Sequence, residues 1–266
     1  MMSMMLDRHR VLLTQLGGTP FAIPSYTGSH AIFGDEKQGY IECYSTGTIT
    51  FPIAGKVDVF ILGSGLKGVT GNGSSYSCRG GKGGKGAVGT TLTGIAVEGE
   101  YTITVGAACS STMSANKSTA FGTTANSTSD NSGEGASASI SGYSGSAAKA
   151  NAGSNGTSYP FGETSGIFYK QLGAGGGGGG TRWSNSSNGY NHGNGTPGNG
   201  GILGGGDGAN TITNVVGVAA ANTGSGGGGG SAEICLNSDG SYDPVNTGFG
   251  GNGGSGIVII RWGYAA

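Results

Sequence analysis

The chain has 266 residues; 62 are Gly, 6 are Pro, only 10% are charged, and the net charge is −1. An ordinary domain carries about 25% charged residues. This composition excludes a coiled coil, a helical bundle and a collagen, which needs a strict Gly-X-Y period and abundant Pro; it argues against a nucleic-acid partner, for want of a basic footprint, and against a conventional enzyme, for want of apolar residues.

Residues 1–37 stand apart, with little Gly and clustered charge. Met2, Met5, His9, Leu12 and Leu16 alternate at spacings of three and four, the seam of a short amphipathic helix. Thr19-Pro20 and Ile23-Pro24 stop a helix and favour extended chain. Asp7, Arg8 and Arg10 follow the apolar start, so it does not read as a signal peptide. No run approaches 18 apolar residues, and no membrane span is expected. The segment reads as an anchoring arm on a domain covering residues 38–266.

From residue 40 the pattern turns to β. Tyr40–Tyr44, Thr48–Phe51, Val57–Leu62, Glu100–Val105 and Ile257–Trp262 alternate or run apolar with β-branched and aromatic residues. Apolar strands at both ends argue for one domain whose ends meet in one sheet. Cys43, Cys78, Cys109 and Cys235 have no metal-finger spacing and are expected as free thiols.

Gly tracts fill the spaces between strands, at 80–86, 173–180, 193–208, 224–230 and 248–256. Flexible linker would not recur between good strands of one domain. Each ordered Gly costs roughly 0.5–1 kcal/mol relative to Ala, so something must offset tens of kcal/mol. In a polyproline-II-type helix of Gly, neighbours approach closely enough for backbone groups to bond sideways. The tracts therefore read as packed Gly helices; eight residues would span roughly 25 Å.

Chemical motifs fail on inspection. Gly63-Ser64-Gly65-Leu66-Lys67-Gly68 follows a strand, but no helix pattern follows it and no acidic residue stands about 20 positions on. The Gly-Lys pairs at 81–82 and 84–85 lack the remaining residues of a phosphate loop. His9, His30 and His192 are too scattered for a metal site. Glu98 with Glu100, or Asp239 with Asp243, could pair, but loop carboxylates are usually solvated. No cofactor, metal or catalytic group is expected. The segments joining the tracts have the composition of binding loops, aromatic anchors amid small polar residues. Arg182, Trp183, Tyr190, His192, Tyr242 and Tyr143 are the contact candidates; Trp183 could instead pack within its own domain.

Val57–Gly63, Gly80–Gly86, Gly99–Ala107, Ser118–Gly122, Phe161-Gly162-Glu163 before Gly175–Gly180, and Gly253–Trp262 together resemble the glycine-rich domain of bacteriophage tail and virion appendage proteins. The resemblance implies a mainly β fold, a β-sandwich joined to a bundle of packed polyglycine-II-type helices. It further implies a non-enzymatic virion protein, made in the host cytoplasm; the short seam from Met2 to Leu16 and the weak core suggest a homotrimer. The arm lies outside the resemblance and is read as the anchor to other virion proteins, while the loops, by analogy with the family, would meet a glycan or protein of the host surface. A structural fibre or decoration subunit is the alternative, and a glycan-degrading enzyme a more distant one.

Overall fold

The computed structural model describes residues 21–74, 76–141, 144–168, 170–185, 191–202, 204–210, 216–237, 239, 241–243 and 247–263. The chain is mainly β. In order, the strands are β1 (Ser25–Tyr26), β2 (His30–Gly34), β3 (Gly39–Cys43), β4 (Gly47–Leu62), β5 (Asn72–Ser74), β6 (Ser77–Arg79), β7 (Thr90–Ile103) and β8 (Ser118–Ala120). There follow β9 (Thr123–Ala125), β10 (Ser137–Ser141), β11 (Ser144–Ala148), β12 (Thr181–Asn185), β13 (Asn191–Gly195), β14 (Ala232–Leu236), β15 (Tyr242–Asp243) and β16 (Ile257–Trp262). A single short 3-10 turn at Pro160–Gly162 is the only helical element among the described residues.

The expected strands fall in one six-stranded sheet, ordered β1-β4-β16-β3-β2, with β7 paired to β4. They do not divide between two sheets. The last strand, β16, lies between β4 and β3, antiparallel to both, so the two ends of the domain do meet. Residues 57–62 and 257–260 are buried without alternation because both faces of the sheet are covered there. One face carries Ile41, Val57, Val59, Ile61, Val258, Ile260 and Trp262, with Phe21 and Phe51 against them. The other carries Phe60, Leu62, Ile257 and Ile259, packed on Ala87, Phe168 and Leu172.

The boundary expected at residue 37 moves. β1 and β2 pair with β4 and β3, and Phe21 packs between Phe51 and Trp262. Residues 21–37 thus belong to the sheet. Met2, Met5, His9, Leu12 and Leu16 lie outside the described residues. All four cysteines are free thiols; burial pushes Cys43 up to about 12 and Cys78 up to about 11.

The Gly tracts form a layer between this sheet and the two four-stranded ones. Along residues 176–180, the N–H groups donate in turn to Gly84, Gly206, Asn151, Gly81 and Ala209. The first and second neighbours return after three residues. The carbonyls of the same tract accept from three other segments: Gly226 and Gly229, Gly133 and Ala136, Gly198 and Gly201. Segment 224–231 is bonded likewise: Gly227 and Gly230 donate to Leu66 and Val69, Gly226 and Gly229 to Ala174 and Gly177, and Gly228 to Gly217. The backbone polar groups that burial would strand are thereby paired. A Cβ at Gly177 would stand 2.0 Å from the Gly198 carbonyl oxygen, and one at Gly228 1.8 Å from that of Asp207. Only Gly permits this approach.

The tracts share two ends. Ala87 donates to Gly224, Gly173 to Thr223 and Gly224 to Ser255, beside the large sheet. At the other end Gly71 donates to Gly248, Gly81 to Gly230, Gly248 to Ser231 and Ala232 to Gly180. There the chain enters β5, β12 and β14 or leaves β6. The glycine layer therefore holds the two four-stranded sheets away from the large one, while the two-stranded β8–β9 sheet packs on it directly.

Candidate functional site

The far end of the layer is built from two four-stranded sheets, β11-β10-β6-β5 and β13-β12-β14-β15. Strands β10 and β6 of the first lie against β12 and β14 of the second. β12 and β14 pair in parallel because each continues a tract running away from the large sheet. Their sequences have few β-formers. Register comes from the tracts, which deliver the chain at fixed spacing.

Between these sheets Cys78, Trp183, Ala232, Ile234 and Leu236 form a small core. Trp183 is 7% exposed, sits opposite Gly193 and Ile234 in the sheet, and its indole N–H has no hydrogen-bond partner among the described residues. It is a core residue, which corrects the expectation that it anchors a partner. Trp183→Ala should cost about 3 kcal/mol of stability, as large aromatic truncations in cores do. Urea unfolding checks this; an unchanged midpoint would remove Trp183 from the core.

Arg182 is half-buried, with its Nε 3.5 Å from a Glu233 carboxylate oxygen across the parallel pair. His192 and Tyr242 were expected in loops and lie in β13 and β15, opposite Ser184 and Leu236. Tyr143 and Tyr190 lie outside the described residues. Tyr76 was missed; it is 62% exposed in the turn from β5 to β6. The signal was present: Ser75-Tyr76-Ser77 matches the small-polar setting of Tyr143 between Gly142 and Ser144.

At the opposite end, a cavity of about 560 Å³ opens between the large sheet and the glycine layer, lined by Glu42, Tyr44, Lys170, Leu172, Asn222 and Ile257 among others. The Glu42 side chain is 7% exposed. Its Oε2 accepts from the Tyr44 hydroxyl at 2.7 Å, and its Oε1 contacts Lys170 Nζ. Burial first, then the bond to Glu42, pushes the Tyr44 hydroxyl far above the ordinary range. Nearby, Asp58 accepts from the Gly94 N–H at 2.9 Å and from Arg261 Nε at 3.0 Å. Arg261 also pairs with Glu163 and lies 4.1 Å over the Phe161 ring. Both oxygens of Glu42 and of Asp58 are engaged. The two clusters therefore tie segment 161–172 to the sheet.

The remaining sequence candidates are surface features. Glu98 and Glu100 are exposed on β7, and the Asp239 carboxylate accepts from the Ser241 backbone and hydroxyl. Gly63–Gly68 is a tract of the glycine layer with no helix after it. Lys82 and Lys85 pair with Glu134 and Asp130 on its flank, at 2.7 and 3.3 Å. Among the described residues no three His, Cys, Asp or Glu are placed to share a metal ion, and no helix is long and apolar enough to cross a membrane.

No curated protein matches the chain. The glycine-rich domain family matches residues 43–263, a span that begins at the last residue of β3 and ends just past β16, and so takes in β4, β7 and β16 of the large sheet and the glycine layer. The chain belongs to the glycine-rich domain family.

Proposed function

We propose that this protein is a non-enzymatic display module of a bacteriophage particle, a tail, collar or head-fibre subunit that presents its far end for attachment to a host surface. In this reading the tracts are polyglycine-II-type helices packed side by side. The three-residue return of their hydrogen bonds supports it, since that helix has three residues per turn and bonds only to its neighbours. The large sheet is the base. A homotrimer is the assembly that the apolar seam in the sequence from Met2 to Leu16 favours.

One observation carries the attachment reading: the molecule is polar. The chain enters at Phe21, which stacks on Trp262, the end of β16 remote from the glycine layer. The small sheets stand at the other end of that layer. Residues 1–20 would serve as the arm toward other virion proteins, attached at that end, while the turn that carries the exposed Tyr76 lies at the other. Turns on a rigid base lose little entropy when a partner binds. A glycan or a protein of the host surface is the partner.

The test uses the purified chain and host envelope fractions. Saturable binding without product is expected, and Tyr76→Ala and Tyr190→Ala should each weaken it about tenfold, or 1.4 kcal/mol. Release of a product would indicate an enzyme acting on envelope glycan. Neither binding nor product would leave a structural decoration subunit.

A further inference from the structure

The cavity between the large sheet and the glycine layer, at about 560 Å³, lies within the size range of small-molecule sites. Its walls divide by chemistry. Leu172 and Ile257 are buried and apolar, and the exposed Ala220 and Ala221 continue that wall toward solvent. Glu42, Tyr44, Lys170 and Asn222 supply the polar groups.

These groups keep capacity beyond their internal bonds. Each Glu42 oxygen has one described partner, Tyr44 or Lys170, and a carboxylate oxygen offers about two acceptor sites. The Lys170 ammonium carries several donors, and its contact with Glu42 leaves the others available. Asn222 Oδ1 accepts from Ser255 Oγ at 3.1 Å, while the Asn222 NH2 group has no partner among the described residues. Asn222 also stands against local preference. Its φ is +60°, in the left-handed region that favours Gly, yet a chain with 62 Gly carries a side chain there. Ser255 holds it in place, accepting from the Asn222 N–H at 2.8 Å and donating to its Oδ1. The amide is thereby fixed at the cavity wall.

We propose that this cavity binds one neutral sugar ring. The charges disfavour an ion: the buried Glu42 carboxylate repels an anion, and Lys170 beside it repels a cation. Together they leave acceptors and donors side by side with no net charge. A sugar hydroxyl uses both kinds at once, donating to Glu42 while accepting from Lys170 or Asn222. The C–H face of the ring suits Leu172 and Ile257, from which it displaces water. A purely apolar ligand would instead bury the Asn222 amide without a partner, which is costly. The site is separate from the far-end turns proposed for attachment and stands or falls without them.

The test titrates the isotope-labelled full chain with glucose, galactose, mannose and N-acetylglucosamine, with glucuronate and glucosamine as charged controls, and follows methyl resonances. With at least one neutral sugar, the Leu172 and Ile257 methyls should shift saturably by about 50 mM, enough to fill a millimolar site. Ile234, in the core between the far sheets, should not shift. The charged controls should bind about tenfold more weakly or worse. Asn222→Gly keeps the left-handed backbone without strain and loses only the amide. It should bind about fivefold more weakly, the effect of one lost hydrogen bond, with its Ile234 methyls at their parental positions. No shift at Leu172 and Ile257 with any of the four sugars would overturn the proposal. So would shifts at Ile234 in their place, glucuronate or glucosamine binding as tightly as the neutral sugar, or equal affinity in Asn222→Gly.

Discussion

Gly177→Ala should unfold the protein or cost at least the roughly 3 kcal/mol at the top of the usual overpacking range. The new Cβ meets the Gly198 carbonyl oxygen at 2.0 Å, and that atom is backbone, with no rotamer to change. Moving it would also disturb the Gly198 N–H bond to Gly178 and the acceptors on either side. Gly228→Ala, at 1.8 Å from the Asp207 carbonyl oxygen, should behave alike. Gly122 supplies the control. It has φ +75° and nothing within 4 Å of its Cβ position, so Gly122→Asn should cost only about 1 kcal/mol, the strain of a left-handed non-Gly residue. Thermal or urea unfolding separates the two classes. Equal midpoints for Gly177→Ala and Gly122→Asn would contradict the packed layer.

Asp58→Ala should cost about 3 kcal/mol. The carboxylate lies in a strand that is buried on both faces. It holds Arg261, whose side chain is 12% exposed, and the Gly94 N–H. Removing it takes one carboxylate partner from a buried guanidinium and leaves a backbone donor without its acceptor. Breaking one side of a buried pair is strongly destabilising, whereas replacing both sides by apolar groups is often neutral or better. The double variant Asp58→Leu, Arg261→Met should therefore be more stable than Asp58→Ala by urea titration. A double variant as unstable as the single one would show that the pair fixes segment 161–172 in a way apolar packing cannot replace.

The sequence made the large sheet legible where side chains decide: Val57–Leu62 and Ile257–Trp262 are apolar enough to name both their conformation and their partner. It also flagged the buried ion pairs, had the charges within apolar runs been weighed. Glu42, Asp58 and Arg261 each interrupt such a run, and a charge there must be paired to be buried. Three of the small-sheet hairpins were not legible. Asn72–Arg79, Ser137–Ala148 and Thr181–Gly195 are Ser, Gly and Asn in large part, with neither alternation nor propensity. Their conformation is imposed by the tracts that deliver them. Trp183 was misplaced for the same reason: in a segment read as loop, an aromatic residue looks like an anchor, while in β12 it faces Ile234 and the core. The arm was drawn too long because Thr19-Pro20 and Ile23-Pro24 read as linker, although Phe21 between them fills the space beside Gly55 and Trp262.

The account stands on the glycine layer being one ordered, cross-bonded body. Residue-resolved hydrogen exchange in the native protein measures this directly, at Gly176–Gly179 and Gly226–Gly230. Their N–H groups are bonded to neighbouring segments, and they should open only with the global unfolding that also releases Ile259 in β16. Exchange at these glycines as fast as in an unstructured peptide, with Ile259 still protected, would contradict it.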